Sequence, residues 1–182
     1  SGTVMARVMK TTSNNEYLFG FIDTNGSKID VLLEGAGNIV LYVNGNVVTS
    51  TRMSFTSNTW HTVALSYGKG TNASSTDTTH TRYYRLFLDG AVKTYSASSN
   101  VEYTSMKSCV GYSEGLSSSF TGCIEMLCFR NAYCEESTLD ELMNAINIIS
   151  TKSYVDEFQR INKKEVTKGS TNIISNEFEY DT

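Results

Sequence analysis

The side chains that could do chemistry in this chain are few and scattered. Glycoside cleavage with retention uses two carboxyl groups about 5 Å apart, which a strand supplies from acids spaced by two or four residues. Glu125 stands alone in its apolar run, and Glu135-Glu136 lead into a helical pattern, so Glu125 reads as a solvent-facing acid. The two histidines are equally unconnected. His61 lies in the alternating run Trp60-His61-Thr62-Val63-Ala64-Leu65-Ser66-Tyr67 and shares a face with Val63, Leu65 and Tyr67, where an imidazole is expected to be a hydrogen-bonded core residue. His80 has no cysteine or carboxylate at useful spacing, and two unrelated histidines assemble no nucleophile triad. The chain is not expected to be an enzyme.

Binding chemistry is better supplied. Tyrosine offers a large flat ring, a hydroxyl and little conformational entropy to lose, which suits recognition of polar ligands. Among eleven tyrosines, Tyr42, Tyr83, Tyr95, Tyr103 and Tyr112 are the candidates for an exposed face. Trp60 opens a central strand and is expected to anchor the core or its edge. Cys109, Cys123, Cys128 and Cys134 fall in one short stretch, which allows three fully paired connectivities. Structural thiols or one or two disulfides are expected. Zinc is not, because Cys123 and Cys128 share a strand-like run that cannot curl around one ion.

The elements that must position these residues are short extended runs. Val4, Ala6 and Val8 alternate along 4–10; Tyr17 to Ile22, Ile29 to Leu33, Ile39 to Val43, Asn46 to Thr49, Trp60 to Tyr67, Tyr84 to Leu88, Ala91 to Tyr95, Cys109 to Tyr112 and Phe120 to Phe129 follow. Asn25-Gly26, Asn44-Gly45 and Asp89-Gly90 are turn dipeptides that favour positive φ. The polar insertion over 68–81 is too poor in apolar surface to offset the entropy of ordering it, which predicts a mobile surface loop. Ser137-Thr138-Leu139-Asp140 has capping-box spacing, and Leu139, Leu142, Met143 and Ile146 form one stripe, which predicts a short helix.

With 182 residues and 40% apolar content, one domain with a substantial core is expected. The sandwich is placed at 1–150. Residues 151–182 form a polar extension that adds a last strand or opens a neighbouring domain. The formal charge of -4 carries no basic stripe, which argues against nucleic acid. No apolar run reaches the ~20 residues needed to cross a bilayer, so membrane insertion is not expected. Ser1-Gly2-Thr3-Val4 is not expected to open a signal peptide, and Ser1-Gly2-Thr3 reads instead as an excision scar that could have removed export information. Asn25 and Asn72 head glycosylation sequons, which have meaning in a secreted or cell-surface setting.

In order, Gly2-Thr3-Val4-Met5-Ala6-Arg7-Val8, Asn58-Thr59-Trp60-His61-Thr62-Val63-Ala64, Arg85-Leu86-Phe87-Leu88-Asp89-Gly90, Val110-Gly111-Tyr112 and Phe120-Thr121-Gly122-Cys123-Ile124-Glu125 resemble the laminin G-like members of the concanavalin A-like lectin and glucanase superfamily. The resemblance covers about residues 2 to 146. It implies an all-β fold, a two-sheet antiparallel jelly-roll sandwich with a short helix after the last family strand, and noncatalytic carbohydrate binding that attaches a larger protein to a glycan or surface polymer. The alternative is a structural or protein-binding adhesion module of a surface or phage tail protein. Lectin-type relatives beside bacterial sialidases grip the sugar carboxylate with two arginines. Arg52 stands near the first position, and Ser113-Glu114-Gly115-Leu116 offers none at the second. The expected ligand contacts are Tyr42, Arg52, Tyr83, Tyr95 and Tyr112. Related domains also hold calcium at the sandwich rim, and Asp23 is preferred for it over Asp30, Asp77 and Asp89 because it adjoins a turn.

Overall fold

Period-two alternation sends side chains to opposite faces of a strand, so each apolar set needs a second sheet to cover it. A computed structural model of the chain describes residues 1–69, 81–98, 106–135, 137–139, 141–142, 149–155, 161–168 and 171–177. Residues 70–80 of the expected loop, with Asn72, Asp77 and His80, lie outside the described residues, as do Tyr103, Met143 and Ile146.

Ten strands build the sandwich: β1 (Gly2–Lys10), β2 (Glu16–Ile22), β3 (Lys28–Glu34), β4 (Asn38–Val43), β5 (Asn46–Ser54), β6 (His61–Lys69), β7 (Thr81–Leu88), β8 (Ala91–Ser98), β9 (Lys107–Val110) and β10 (Gly122–Arg130). They form two five-stranded sheets with antiparallel strand pairing, ordered β10-β1-β6-β7-β8 and β5-β4-β3-β2-β9. Val4, Ala6, Val8, Val63, Leu65, Tyr67, Tyr84, Leu86 and Leu88 of the first sheet meet Phe19, Phe21, Ile29, Val31, Leu33, Ile39 and Leu41 of the second in one core. The turns form as their dipeptides require, with φ of 52° and 77° at Asn44-Gly45 and 48° and 93° at Asp89-Gly90.

The first sheet is covered on its other side as well. Residues Ala132 to Glu135 strap across it: Thr3 Oγ1 donates to Ala132 O at 2.7 Å, Cys134 N donates to Ser66 Oγ at 2.8 Å, and Arg85 Nη1 pairs with Glu135 at 2.5 Å. Thr62, Ala64 and Ser66, on the side away from the core, are buried too, and Ser66 is bonded to the strap. His61 is a buried, hydrogen-bonded residue: Nδ1 lies 2.5 Å from Asp89 Oδ2 and Nε2 lies 2.9 Å from Thr56 O. Asp89 Oδ1 also accepts the Thr62 amide at 2.7 Å, so one carboxylate ties the β7–β8 turn to the start of β6.

One expectation needs correction. Trp60 is no core anchor: it is 36% exposed just before β6, with the Arg7 guanidinium 5.3 Å from its ring centroid. The cysteines are free thiols, one of the two states expected of them, with Cys109 and Cys134 buried and Cys123 and Cys128 exposed. Cys123 and Cys128 stand opposite Met9 and Met5 of β1, about 13 Å apart along the strand, beyond the roughly 7 Å limit for bridging Cα atoms.

A second compact unit spans Ser137–Thr182 after a first at Ser1–Glu136. Residues 137–139 and 141–142 are helical, with Leu139 fully buried. Beyond them β11 (Ile149–Val155), β12 (Ile161–Lys168) and β13 (Thr171–Glu177) form an antiparallel three-stranded sheet of their own.

Candidate functional site

Whereas the first sheet is strapped, the second presents its outward face. A register shift between Tyr17 and Phe19 lets Leu18, Phe19 and Phe21 all reach the core and turns Tyr17 outward. Across that face Tyr17 pairs with Leu32 and Leu32 with Val40; in the next row Gly20 pairs with Asp30, Asp30 with Tyr42 and Tyr42 with Val47. Leu32 and Val40 lie buried beneath this face, with half-buried Tyr17 and Tyr42 beside them. At the rim Arg52 makes a bidentate pair with Glu34, Nε to Oε2 at 3.0 Å and Nη2 to Oε1 at 2.7 Å. This fork fixes the guanidinium plane and leaves further N–H donors for a ligand.

The loop after β9 folds onto the same face. Gly20 makes this approach possible, because a Cβ there would sit 3.0 Å from both Ser113 Cα and Tyr112 O. Buried Ser113 donates its Oγ–H to Asp30 Oδ1 at 2.6 Å, and Lys28 Nζ donates to Glu114 O at 2.7 Å. Tyr112 is left exposed, and its hydrogen bond with Cys109 raises its phenol above the ordinary value. Burial also raises Tyr17, reinforced by the Asp30 and Tyr42 charges.

Burial holds the Asp30 carboxyl above its ordinary value, against the opposing pull of the Ser113 hydrogen bond and Lys28. The folded state therefore binds this proton more tightly than the unfolded chain, and its contribution to stability is lost as pH rises through the raised value. Urea unfolding from about pH 3 to about pH 7 is expected to show the advantage of Asp30→Asn over the native chain growing with pH. A difference independent of pH would remove Asp30 as the source.

Of the five expected ligand contacts, Tyr42, Arg52 and Tyr112 belong to the β5-β4-β3-β2-β9 side, and Tyr83 and Tyr95 do not. Tyr83 sits near Tyr133 with centroids 6.4 Å apart, and Tyr95 packs against the core and stacks on Tyr84 at 5.8 Å. Tyr17, Asp30 and Ser113 were not foreseen as contacts. The continuous apolar run around Tyr17 hid the irregularity that turns it outward.

The donor set at Asp23 does not fit calcium. Its Oδ1 accepts the Asn25 and Ser27 amides at 2.9 and 2.8 Å, a turn closed by its own side chain. Oδ2 is buried without a hydrogen-bond partner beside a pocket that Lys107 and Glu114 both line, and two acids next to a lysine fall short of the six to eight oxygens calcium asks for. Among the described residues no group of three or more His, Cys, Asp or Glu side chains could hold a metal ion.

No family model matches the chain, and no curated protein does. Among solved structures it is similar to a native heptameric SAP-like pentraxin from Limulus polyphemus, at 13% identity and TM-score 0.52, over 78% of this chain and 69% of that one. It also aligns with the alginate lyase AlgAT5 from polysaccharide lyase family 7, at 13% identity and TM-score 0.45, over 71% of this chain and 58% of that one. Two five-stranded antiparallel sheets over one core, together with the pentraxin similarity, make this chain an all-β sandwich of the concanavalin A-like jelly-roll type.

Proposed function

We propose that the outward face of the β5-β4-β3-β2-β9 sheet is a noncatalytic carbohydrate-binding surface. The chain would act as a laminin G-like module that attaches a larger secreted or cell-surface protein to a glycan or surface polymer. The observation that carries this reading is the placing of Tyr17 and Tyr42 beside buried Leu32 and Val40, with the Arg52–Glu34 fork at the rim. Aromatic rings receive the C–H faces of a sugar while a fixed guanidinium takes its hydroxyls.

A glycan array on the full chain, followed by calorimetry on the best ligand, tests it. Tyr17→Ala and Tyr42→Ala are each expected to weaken binding about tenfold, the loss of roughly 1.4 kcal/mol of ring contact. Tyr83→Ala, on the other sheet, should leave affinity unchanged. Silence across the array at high protein concentration would end the proposal.

A second reading, a structural or protein-binding adhesion module, is favoured by one observation. All nine residues of β10 at the edge of the first sheet are exposed, several of them large and apolar. Retained binding in both tyrosine variants would leave that reading the stronger.

A further inference from the structure

Edge strands invite pairing with another chain, and proteins usually blunt them with charge, proline or a cover. β10 has Ile124, Met126, Leu127 and Phe129 exposed at 38%, 44%, 42% and 51%. Its acid, Glu125, is already neutralised by Arg7 of β1 at 2.7 Å. Phe129 overhangs a cleft of about 270 Å³ lined also by Phe21, Tyr67, Met106 and Ser108. Large apolar side chains exposed side by side along one edge are the kind of surface that marks an interaction site.

The side-chain order along this edge is self-complementary. Opposite β1, Cys123, Glu125 and Cys128 face outward with Met9, Arg7 and Met5, while Ile124, Leu127 and Phe129 share the core side of Val8, Ala6 and Val4. Met126, at φ 56°, is the extra residue of a bulge between them. That extra residue shifts the alternation by one. An antiparallel second copy centred between Glu125 and Met126 therefore sets like faces together: Ile124 against the second copy's Leu127, and Cys123 against its Cys128, twice around the two-fold axis. Directly opposed residues on antiparallel strands have Cα atoms about 4.5–5.5 Å apart, inside the range a disulfide spans.

We propose that β10 pairs with β10 of a second copy of this chain, joining two five-stranded sheets into one, and that Cys123 and Cys128 seal the pair. One nine-residue strand is a narrow contact beside the roughly 20–30 residues a side of a standard interface, so the reduced dimer is reversible and the covalent one persists. Sealing is thiol–disulfide exchange with a small-molecule disulfide. Two thiols lose two protons and two electrons as one S–S bond forms, and the oxidant leaves as two thiols.

The full chain is incubated with oxidised glutathione and resolved on non-reducing gels and by sedimentation. The native chain is expected to double in mass. Cys123→Ser alone and Cys128→Ser alone should each remain uncrosslinked, because every bridge joins one residue type to the other, whereas a mixture of the two variants should crosslink. Ile124→Lys with Leu127→Lys, thiols intact, should abolish the bridge. Crosslinking of Cys128→Ser alone would mean Cys123 meeting Cys123, and would overturn the register. A native chain that stays monomeric in the presence of oxidant would overturn the dimer.

Discussion

Lys10→Ala is expected to lower the unfolding free energy by about 3–5 kcal/mol, the range for removing one partner of a buried charged network. Lys10 is fully buried at the end of β1. Its Nζ donates to Asn14 O, to Leu33 O at 3.2 Å and to Glu34 O at 3.4 Å, and burial lowers its pKa, opposed by the Glu16 charge. One ammonium thus fastens the 11–15 turn to the end of β3. Glu16 answers from the other side, taking Thr12 Oγ1–H at 2.5 Å on one oxygen and the Thr121 amide at 3.0 Å on the other. Truncation at Lys10 removes the ammonium from Asn14 O and Leu33 O and the cation from the Glu16 carboxylate, while Glu34 O keeps the Gly37 amide at 3.1 Å; the desolvation cost is one that water cannot readily relieve. Lys10→Met, which keeps the stem, should lose less than alanine. Urea denaturation followed by Trp60 fluorescence measures both. A loss under 1 kcal/mol for alanine would show that water reaches the site, since exposed polar contacts are worth only about that.

Gly35→Ala is expected to cost about 3 kcal/mol or more. A Cβ there would lie 2.1 Å from Ser13 O and 3.1 Å from Ser13 C, and these are backbone atoms that no rotamer change can move aside. Gly35 N also donates to Asn15 Oδ1 at 2.7 Å, so the displaced turn loses that bond. Gly26→Ala is the control. Its φ of 82° carries the left-handed penalty, but no atom lies within 4 Å of the added carbon, so about 1–2 kcal/mol is expected. Because Gly35 and Lys10 hold the same turn, the double variant Lys10→Ala/Gly35→Ala should lose less than the two single losses together. Equal losses at Gly35 and Gly26 would show that the 11–15 turn simply yields.

The strands and their turns were legible because alternation and the Asn-Gly and Asp-Gly dipeptides are local signals. Val63, Leu65 and Tyr67 take the core side of β6 as their spacing requires. His61 is the hydrogen-bonded structural residue expected of its face, and Glu125 is the exposed acid expected of its isolation. What escaped depends on partners distant in sequence or on irregular registers. Tyr17 turns outward through a shift in β2 pairing, which alternation does not encode. Nothing in the spacing of β1 marks Lys10 for burial, which only carbonyls from 14, 33 and 34 make tolerable. Trp60 stands outside the core against the guanidinium of Arg7, 53 positions away, a partner that no local pattern reveals. Free thiols were one of the two expected cysteine states, and choosing between them needed a three-dimensional distance.

Thr3 and Arg130 are register partners, so β1 leaves its amino end beside the carboxyl end of β10. Tension applied at those two neighbouring points pulls across the strands rather than along them. The rungs between β1 and β10 then carry the load singly, from Arg130 toward Gly122, in the manner of a zip. The seam rather than the greasy centre sets how much traction this half of the molecule withstands.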